Sequence, residues 1–538
     1  MIRARTKSRS ILTTLVALVV ALSLVPLSAS AVPGKSVGKQ VRLQILAIND
    51  FHGQIAPYSP TLGGAAYLAS YIESRTAAAK LTNTNTWCLG VGDLIGASPA
   101  VSGLLQDEPT MEALDQIGFK FSTVGNHEFD EGIDELYRLQ YGGYHPATGD
   151  WEGTRMKYLV SNVVDEETGD TIFPPYAVKR VRGVKVGVIG AVTEETPGIV
   201  TASGVEGLEF LDVADSVNAC AAELKGQGVE AIIVLLHDGG TATNINGGPV
   251  SGPIVPLVES LDDEIDVVLT AHSHQRYWSL IDGKLVTQAH SGGRAFADID
   301  LVIDRKSGDV VSKTAEIVPT AINDTVMPDP AVQAIVDEAS ATVAPIVNAP
   351  VGTAAADITR VMSAAGESAL GNLIADGQKW KMGTQVAFMN PGGIRADLFA
   401  GEVTWGELFA IQPFGNYMVT MKMTGAQIET ALEQQWQGST TRMLQISGIS
   451  YSWSASAPQG AKIDPASISV GGMPLDLAAT YTVTANNFLA EGGDGFAAFK
   501  LATDKVYWGS DLDALVDYVK SLAQPFNASI EGRVTLLP

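Results

Sequence analysis

Between residues 41 and about 318, short and continuous apolar runs alternate with glycine-containing loops and with segments of helical periodicity. The apolar runs include residues 41–48, 184–190, 231–236 and 265–269. Runs of this kind, without alternating polar positions, are typical of strands that are buried on both faces. The pattern therefore predicts an α/β fold in which helices cover both faces of the sheets.

The pattern changes between Pro328 and Pro350. A helical segment is predicted from Asp329 to about Val347, because prolines at its start and just beyond its end mark helix edges. Helical and strand patterns then resume, and a chain of 538 residues exceeds the ~250–300 residues at which a single core stops growing. We therefore expect two domains, residues 32–327 and 351–538, joined by a linker helix over residues 328–350.

The first 31 residues differ from the rest of the chain. Four basic residues precede an apolar run over residues 11–26, and Ala29-Ser30-Ala31 offers small residues for cleavage. A retained membrane anchor is the alternative, but it needs roughly 18–20 apolar residues. We interpret residues 1–31 as a signal peptide and expect a secreted or periplasmic, extracellular protein with no membrane anchor after cleavage.

The formal net charge of -24 bears on the partners of the protein. Its long-range field disfavours a nucleic acid polymer. A small anionic substrate remains compatible with it, because bound cations or local arginines can reverse the field inside a cleft.

Two cysteines, Cys88 and Cys220, are too few for a disulfide scaffold, although one bridge between them stays open. Cys88 lies in an apolar run and Cys220 in a helical pattern. We favour two separate buried thiols.

Five polar segments begin where predicted strands end, and they hold five of the seven histidines. They are residues 49–52, 92–94, 125–130, 237–238 and 271–274. Such strand ends gather at one rim of an α/β fold. If the segments are extended, Asp50 shares a face with His52, and His272 shares one with His274. The two other histidines, His145 in a polar loop and His290 after a strand, have no predicted ligand role.

The residue types in these segments suit a metal centre. Carboxylate and imidazole side chains bind zinc, manganese or similar divalent ions, and a carboxylate can bridge two of them. Two cations ~3.5–4 Å apart activate a bridging water and stabilise the in-line displacement at phosphorus. The sequence therefore predicts a hydrolase of phosphate esters with two divalent metal ions.

The ordered set Asp50-x-His52, Gly92-Asp93, Gly125-Asn126-His127-Glu128, His237 and His272-x-His274 resembles the signature of calcineurin-like metallophosphoesterases. Together with the C-terminal half, it makes the chain similar to the bacterial 5'-nucleotidase family, which includes UDP-sugar hydrolases and ecto-5'-nucleotidases. The resemblance implies a four-layer α/β/β/α metallophosphoesterase domain followed by a second α/β domain that binds the substrate.

The resemblance also implies roles for these residues. One metal ion would be held by Asp50, His52, Asp93 and His274. The other would be held by Asp93, Asn126, His237 and His272, with Asp93 bridging. The catalytic candidates are His127, which would stabilise the transition state and assist the leaving oxygen, and Asp130, which would orient it. Ala271 departs from the family's glycine before His-x-His, and its methyl group is expected to shift this loop slightly.

The second half carries further resemblances to the family's substrate-binding residues. Segment 390–395 (Asn-Pro-Gly-Gly-Ile-Arg) is similar to the family's phosphate-binding loop. In that loop Arg395 would bind the phosphate, and Asn390 would also be a substrate-binding residue. Phe414 and Phe488 would sandwich a nucleobase. Asn416 would touch the base edge and Asp494 the ribose hydroxyls. The arginine that the animal enzymes of the family carry close before the position of Glu367 is missing here, and Arg360 is the nearest candidate to replace it.

The first hypothesis is thus a secreted 5'-nucleotidase that acts on nucleoside 5'-monophosphates. A UDP-sugar hydrolase, a 2',3'-cyclic-nucleotide phosphodiesterase and a hydrolase of sulfur esters are alternatives, because a dinuclear site serves each of these reactions. A non-catalytic secreted nucleotide-binding or adhesion protein is the alternative from another class.

Overall fold

The computed structural model describes residues 39–438 and 440–538. The predicted signal peptide lies outside these residues. None of the helices in the described ranges combines the length and the apolar character that a membrane crossing requires.

The amino-terminal part is rich in short strands. In chain order its strands are β1 (Gln40–Ile48), β2 (Asn85–Val91), β3 (Phe119–Thr123), β4 (Gly143–His145), β5 (Gly149–Trp151), β6 (Lys157–Leu159), β7 (Val163–Asp165), β8 (Tyr176–Val181), β9 (Val184–Val192), β10 (Leu208–Phe210), β11 (Ile232–His237), β12 (Thr241–Ala242), β13 (Val250–Ser251), β14 (Ile265–Thr270), β15 (Arg276–Ile281), β16 (Lys284–Ala289), β17 (Ala295–Asp304) and β18 (Val310–Pro319). Its helices are α1 (Ala65–Leu81), α2 (Ala100–Gly103), α3 (Glu108–Ile117), α4 (Ile133–Tyr141), α5 (Thr196–Ile199), α6 (Val213–Gly226), α7 (Ile254–Ser260) and α8 (Pro330–Val347).

Two six-stranded sheets form the centre of this part. The first has the order β18-β17-β1-β2-β3-β6, and the second has the order β15-β16-β14-β11-β9-β8. Strands β1, β2, β3 and β6 are parallel, as are β9, β11, β14 and β16. Antiparallel pairing adds β17 and β18 at one edge of the first sheet and β15 and β8 at the two edges of the second. The carboxyl ends of the parallel strands therefore lie at one edge of each sheet.

The two sheets pack face to face, and helices cover their outer faces. In β1, Leu43 and Ile45 point into the core between the sheets, whereas Leu46 and Ile48 point into the core under the outer helices. Helices α6 and α7 cover the second sheet in the same way. The four-layer α/β/β/α arrangement is confirmed. The expectation that helices cover both faces of each sheet is wrong, because a second sheet buries an apolar face as well as helices do.

Helix α8 begins and ends where the prolines predicted. Asp329 caps it by accepting hydrogen bonds from the backbone N–H groups of Ala331 and Val332 (3.0 and 2.9 Å), and Pro330 needs no such partner. Val332 and Val336 pack into the core of the amino-terminal part. This helix connects that part to the remaining residues.

The carboxyl-terminal part has its own strands and helices. Its strands are β19 (Pro350–Ala354), β20 (Val386–Met389), β21 (Gly401–Thr404), β22 (Tyr417–Thr424), β23 (Trp436–Gln437), β24 (Thr440–Thr441), β25 (Gln445–Ser447), β26 (Ile449–Ser454), β27 (Ser469–Val470), β28 (Met473–Pro474), β29 (Thr480–Asn486), β30 (Thr503–Ser510) and β31 (Val534–Leu537). Its helices are α9 (Ala369–Met382), α10 (Trp405–Ile411), α11 (Gly425–Glu433), α12 (Asn487–Ala490) and α13 (Asp511–Ser521).

A five-stranded sheet of order β25-β20-β29-β22-β30 organises this part, with a hydrophobic core on each face. Strands β20 and β29 are parallel, and β22 runs antiparallel to β29. The loops that follow β20 and β29 and the loop that precedes β22 therefore meet at one edge. These loops carry the predicted phosphate-binding and nucleoside-binding residues.

The structure also gives the environments of the two cysteines and of His145. Cys88 in β2 and Cys220 in α6 are separate buried thiols, as favoured above, and burial raises the pKa of each to about 11. His145 is partly exposed and ends strand β4, so its assignment to a polar loop is wrong. The short hairpin of β4 and β5 accounts for the difference.

Candidate metal centre and adjoining cleft

The predicted metal ligands come from both sheets. Asp50, Asp93 and Asn126 follow β1, β2 and β3 of the first sheet. His237 ends β11, and the pair His272 and His274 follows β14 of the second sheet. The loops of the first sheet are joined by backbone hydrogen bonds, from Asp50 N to Gly92 O (3.1 Å) and from His52 N to Asp93 O (2.9 Å). The cluster therefore lies across the boundary between the two sheets.

The backbone of these loops is unusual at five of the ligand candidates. The φ angles of Asp50, His52, Asp93, His272 and His274 are 48°, 49°, 48°, 64° and 55°. Residues other than glycine rarely adopt this left-handed conformation, and where they do the strain often marks a functional site. The reasoning from extended i and i+2 positions was therefore wrong, although the side chains that it paired do converge.

The ligand atoms form two groups that share Asp93. One group is Asp50, His52, Asp93 and His274, and the other is Asp93, His237 and His272, with the ligand atoms of each group within 4.8 Å of one another. Nε2 of His52 lies 3.2 Å from Nε2 of His274, and Nδ1 of His272 lies 3.0 Å from Oδ1 of Asn126. All seven predicted ligands are therefore brought together.

Hydrogen bonds outside the cluster orient the histidine rings. Nδ1 of His237 lies 2.8 Å from the carbonyl of Val91, and Nδ1 of His52 lies 3.0 Å from the carbonyl of Gly96, so each Nδ1 donates and each Nε2 is left as an acceptor. Nε2 of His237 is buried 3.2 Å from Oδ2 of Asp93 and has no hydrogen-bond partner among residues 39–438 and 440–538. A cation between them would satisfy both atoms.

The protonation states also fit a cation site. Burial raises the pKa of Asp93, but nearby histidine charges, that of His237 above all, outweigh it and hold this pKa well below its usual range. Burial lowers the pKa of His52 to about 3 and that of His272 to about 4. Burial opposes the protonation of His237 too, yet the charge of Asp93 raises its pKa to about 10. Asp93, His52 and His272 are thus in the forms that bind a metal ion, and the raised pKa of His237 shows that the cluster attracts positive charge.

Glu128 holds two of the ligand loops in place, a role that the sequence did not reveal. Its buried carboxylate accepts hydrogen bonds from the backbone N–H groups of Asp93 (2.8 Å), Leu94 (2.9 Å) and Gly125 (2.5 Å) and from the hydroxyl of Tyr158 (3.3 Å). Burial, reinforced by the charge of Asp93, raises the pKa of Glu128 to about 7. The carboxylate thus fixes the positions of Asp93 and Asn126 through their backbones.

We expect Glu128→Gln to weaken both the fold and the metal centre. The substitution replaces one carboxylate oxygen, which accepts hydrogen bonds from backbone N–H groups, with an amide nitrogen, which can only donate. Each buried N–H group left without an acceptor lowers the free energy of unfolding by ~1–3 kcal/mol. Loss of a group that orients metal ligands reduces metal affinity by ~10–100-fold. Thermal unfolding and metal titration measure the two effects, with Glu206→Gln, an exposed position, as the control. Unchanged melting temperature and metal affinity would contradict this role.

His127 is held beside the cluster without belonging to either ligand group. Its Nδ1 lies 2.8 Å from Oδ2 of Asp130, as the sequence predicted, and its backbone N–H donates to Oδ1 of Asp93 (2.8 Å). Burial lowers the pKa of His127, but the charges of Asp130 and Asp93 outweigh it and raise the pKa above its ordinary value. The His127 imidazole is thus held in one orientation beside the ligand cluster.

A cavity of about 250 Å³ opens directly on the metal centre. The predicted residues that line it are Asn126, His127, Asp130, His272, Asn390, Arg395, Phe414, Asn416, Phe488 and Asp494. Arg360 lies outside this lining. It is exposed, and its guanidinium donates to the carbonyl of Ile394 (3.2 Å) beside the phosphate loop.

Phe414 makes contacts that the sequence did not predict. Its ring stacks on the imidazole of His127, with the ring centres 5.6 Å apart and the planes at 17°, and Cζ of Arg395 also lies 5.6 Å from its centre. Burial lowers the pKa of Arg395. One face of the Phe414 ring is therefore covered by His127.

Residues that the sequence missed also line the cavity. The amino-terminal part contributes Glu195, Ile199, Val200 and Thr201. The carboxyl-terminal part contributes Arg442, whose Nε lies 3.2 Å from Oδ1 of Asp494. Their segments carry no recognisable motif, and only the packing of the two parts brings these residues to the cavity. The sequence alone therefore could not identify them.

Family comparisons match both parts of the chain. Residues 43–276 match the family of calcineurin-like phosphoesterases, and residues 350–501 match the C-terminal domain of 5'-nucleotidases. With the carboxylate and imidazole cluster, these matches define a metal-dependent phosphoric ester hydrolase. The chain belongs to the 5'-nucleotidase family.

Individual relatives and one solved structure are similar to this chain over most of its length. The chain is 37% identical to cell wall protein Lmo0130 of Listeria monocytogenes (serovar 1/2a, strain ATCC BAA-679 / EGD-e), over 92% of this chain and 69% of that protein. It is 38% identical to endonuclease YhcR of Bacillus subtilis (strain 168), over 93% of this chain but only 41% of that relative's length. The crystal structure of a 5'-nucleotidase precursor from Thermus thermophilus superposes with a TM-score of 0.77 at 29% identity, covering 92% of this chain and 99% of that one.

Proposed function

We propose that this protein is an exported 5'-nucleotidase, which hydrolyses nucleoside 5'-monophosphates to nucleoside and phosphate. One observation carries the proposal. The metal-ligand cluster, His127 and Arg395 adjoin a single cavity, which Phe488 and Asp494 line as well. A substrate with a phosphate at one end and a nucleoside at the other fits such a cavity.

The residues that would hold the metal ions follow from the two ligand groups. Asp50, His52, Asp93 and His274 would hold one divalent cation, and Asp93, Asn126, His237 and His272 would hold the other. When bound, such a pair supplies an activated water and neutralises charge on the phosphoryl group.

The side chains beside the metal centre would position the reacting phosphate. Arg395 would bind the phosphate through its planar guanidinium. His127, oriented by Asp130, would face the leaving oxygen and stabilise the charge that develops there. In the reaction the P–O5' bond breaks, water supplies the new oxygen on phosphorus, and the 5' oxygen leaves with a proton.

The nucleoside would be bound by the carboxyl-terminal part. Phe414 and Phe488 would stack on the base, Asn416 would contact its edge, and Asp494 would accept hydrogen bonds from the ribose. We propose residues 32–327 and 351–538 as the two domains, with residues 328–350 as the linker helix. Because the site draws on both domains, movement about this linker would admit the substrate and release the products.

Export rests on the sequence of residues 1–31, and the name of the Listeria relative, a cell wall protein, is consistent with it. The endonuclease name of the Bacillus relative belongs to a much longer protein.

Chromatographic measurement of the hydrolysis products over a substrate panel tests the proposed activity. AMP, UDP-glucose, adenosine 2',3'-cyclic phosphate and duplex DNA are compared with zinc or manganese and after chelation. We expect AMP to have the highest kcat/KM and chelation to abolish turnover. A higher value for UDP-glucose or the cyclic nucleotide would overturn the assignment, and no hydrolysis of any substrate would support a non-catalytic protein.

Phe488→Leu tests the nucleobase site. Phe488 is largely buried in the cleft wall, and base stacking on an aromatic ring contributes ~1–3 kcal/mol. We expect the ratio of kcat/KM for AMP to that for p-nitrophenyl phosphate, which lacks a base, to fall by ~5–100-fold. Phe399→Leu, at an exposed ring outside the cavity, is the matched control. An unchanged ratio would place the base elsewhere.

A further inference from the structure

Arg442 is a charged residue that lines the cleft and takes no part in the proposed reaction. It lies between β24 and β25, lines the cavity, and its side chain is 26% exposed. Its backbone N–H donates to the carbonyl of Gln435 (2.8 Å), which fixes where the side chain starts. A cation placed this way is available to a ligand in the cavity.

The guanidinium of Arg442 is only partly used by the protein. Nε pairs with Oδ1 of Asp494 at 3.2 Å, but the terminal amino groups donate no hydrogen bond to any of the described residues. A guanidinium carries five N–H donors, and its terminal amino groups are well suited to two oxygens of one phosphate. The unused donors therefore fit an anionic group of the substrate.

Asp494 shows which end of the substrate Arg442 would meet. Its carboxylate lies between Nε of Arg442 and Nδ2 of Asn390 (3.5 Å), and its backbone carbonyl accepts a hydrogen bond from Gln437 (2.7 Å). If Asp494 accepts the ribose hydroxyls as proposed, Arg442 lies at the ribose edge. Arg395, in contrast, lies at the phosphate end beside His127 and Phe414.

The local charge also permits a second phosphate. Burial raises the pKa of Asp494, and the charge of Arg442 opposes that shift. The two side chains form an ion pair in which the positive charge offsets the negative one. An incoming phosphate would gain the free donors of Arg442 without meeting an uncompensated carboxylate. The same carboxylate would still bind the 2' hydroxyl.

We propose that Arg442 forms a second phosphate subsite, which binds a phosphoryl group on the 3' oxygen of the ribose. The inference rests on the proposed function, because it requires the ribose to lie against Asp494. The preferred substrates are then nucleotides that carry phosphate at both ends of the ribose, either nucleoside 3',5'-bisphosphates or 5'-phosphorylated short oligonucleotides.

The reaction at the 5' end is unchanged by the second phosphate. Water adds to the 5' phosphorus, the P–O5' bond breaks, and the 5' oxygen takes a proton. The products are a nucleoside 3'-phosphate and inorganic phosphate, and the 3' phosphoryl group stays attached. Adenosine 3'-phosphate is therefore the product expected from adenosine 3',5'-bisphosphate.

The test is a ratio of kcat/KM values measured on the full, metal-loaded protein. We expect adenosine 3',5'-bisphosphate to be preferred over AMP by about tenfold or more, the effect of one charge-assisted hydrogen bond. In Arg442→Gln this ratio falls to about one, and in the control Arg155→Gln, at an exposed position, it stays high. The same ratio measured with a 5'-phosphorylated diadenylate in place of the bisphosphate shows which of the two substrate types the subsite prefers.

Two results would overturn the subsite: a wild-type ratio at or below one, or a ratio that Arg442→Gln leaves unchanged. Adenosine 5'-phosphate as the product would show that the substrate binds in the reverse direction. If neither substrate loses its 5' phosphate, the proposed function fails instead. Calorimetry still tests the subsite in that case, because tighter binding of the bisphosphate than of AMP must disappear in Arg442→Gln, and its persistence there would count against the subsite.

Discussion

Asp93→Asn is expected to lower kcat/KM for AMP by ~10³-fold or more and to reduce the metal content of the protein. Asp93 is almost fully buried, at 1% exposure, and it is the residue that the two ligand groups share. Asparagine keeps the size of the side chain but removes the negative charge that two cations would share. Steady-state kinetics and elemental analysis of the purified variant measure both effects.

Asp300→Asn is the matched control for this variant, because Asp300 is exposed on β17 and belongs to neither ligand group. It should keep the wild-type metal content and turnover. Near-wild-type hydrolysis of AMP by Asp93→Asn in excess manganese would refute the bridging role.

His127→Ala is expected to lower kcat by ~10³-fold while the metal content stays at the wild-type level. The two effects separate because His127 adjoins the cluster but is in neither ligand group, so its loss removes a group at the leaving oxygen and no metal ligand. Asp130→Asn should cause a smaller loss of kcat, about tenfold, because the ring remains and only its orientation suffers. Single-turnover kinetics and metal analysis measure these outcomes.

His145→Ala is the control for His127→Ala, since His145 lies in the hairpin of β4 and β5 and lines no part of this cleft. It is expected to behave like the wild type. A kcat for His127→Ala within about threefold of the wild type, or a loss of metal in that variant, would contradict the role given to His127.

The structure brings together the residues that the sequence predicted as metal ligands, because each lies at a strand end that can be recognised from the local sequence. Asp93 and His237 each stand where an apolar run stops, and parallel strands bring such positions to one edge whatever the loops do. The convergence of Asp50 with His52 was predicted from an extended backbone that the loop does not have. Hydrogen bonds to the neighbouring loop, formed only in the folded chain, set the left-handed conformation instead.

Contacts between distant segments could not be predicted in the same way. Glu128 was visible in its motif, but its three backbone partners come from two loops that only the fold brings together. Arg442 stands in a segment without any pattern, and its proximity to Asp494 depends on how β24, β25 and the loop after β29 pack. The choice between a helix and a second sheet as the cover of an apolar strand face was likewise invisible in the composition of the strands.

The ligand candidates lie on two different sheets, so the packing of the core between these sheets affects the geometry of the candidate metal centre. Asp50, Asp93 and Asn126 move with one sheet, while His237, His272 and His274 move with the other. The spacing between the two halves of the centre is therefore set by side chains such as Leu43, Leu235 and Ile299, which fill the layer between the sheets. The volume of these remote side chains would therefore help to set the distance between two bound cations, and such cations would in turn hold the two sheets together.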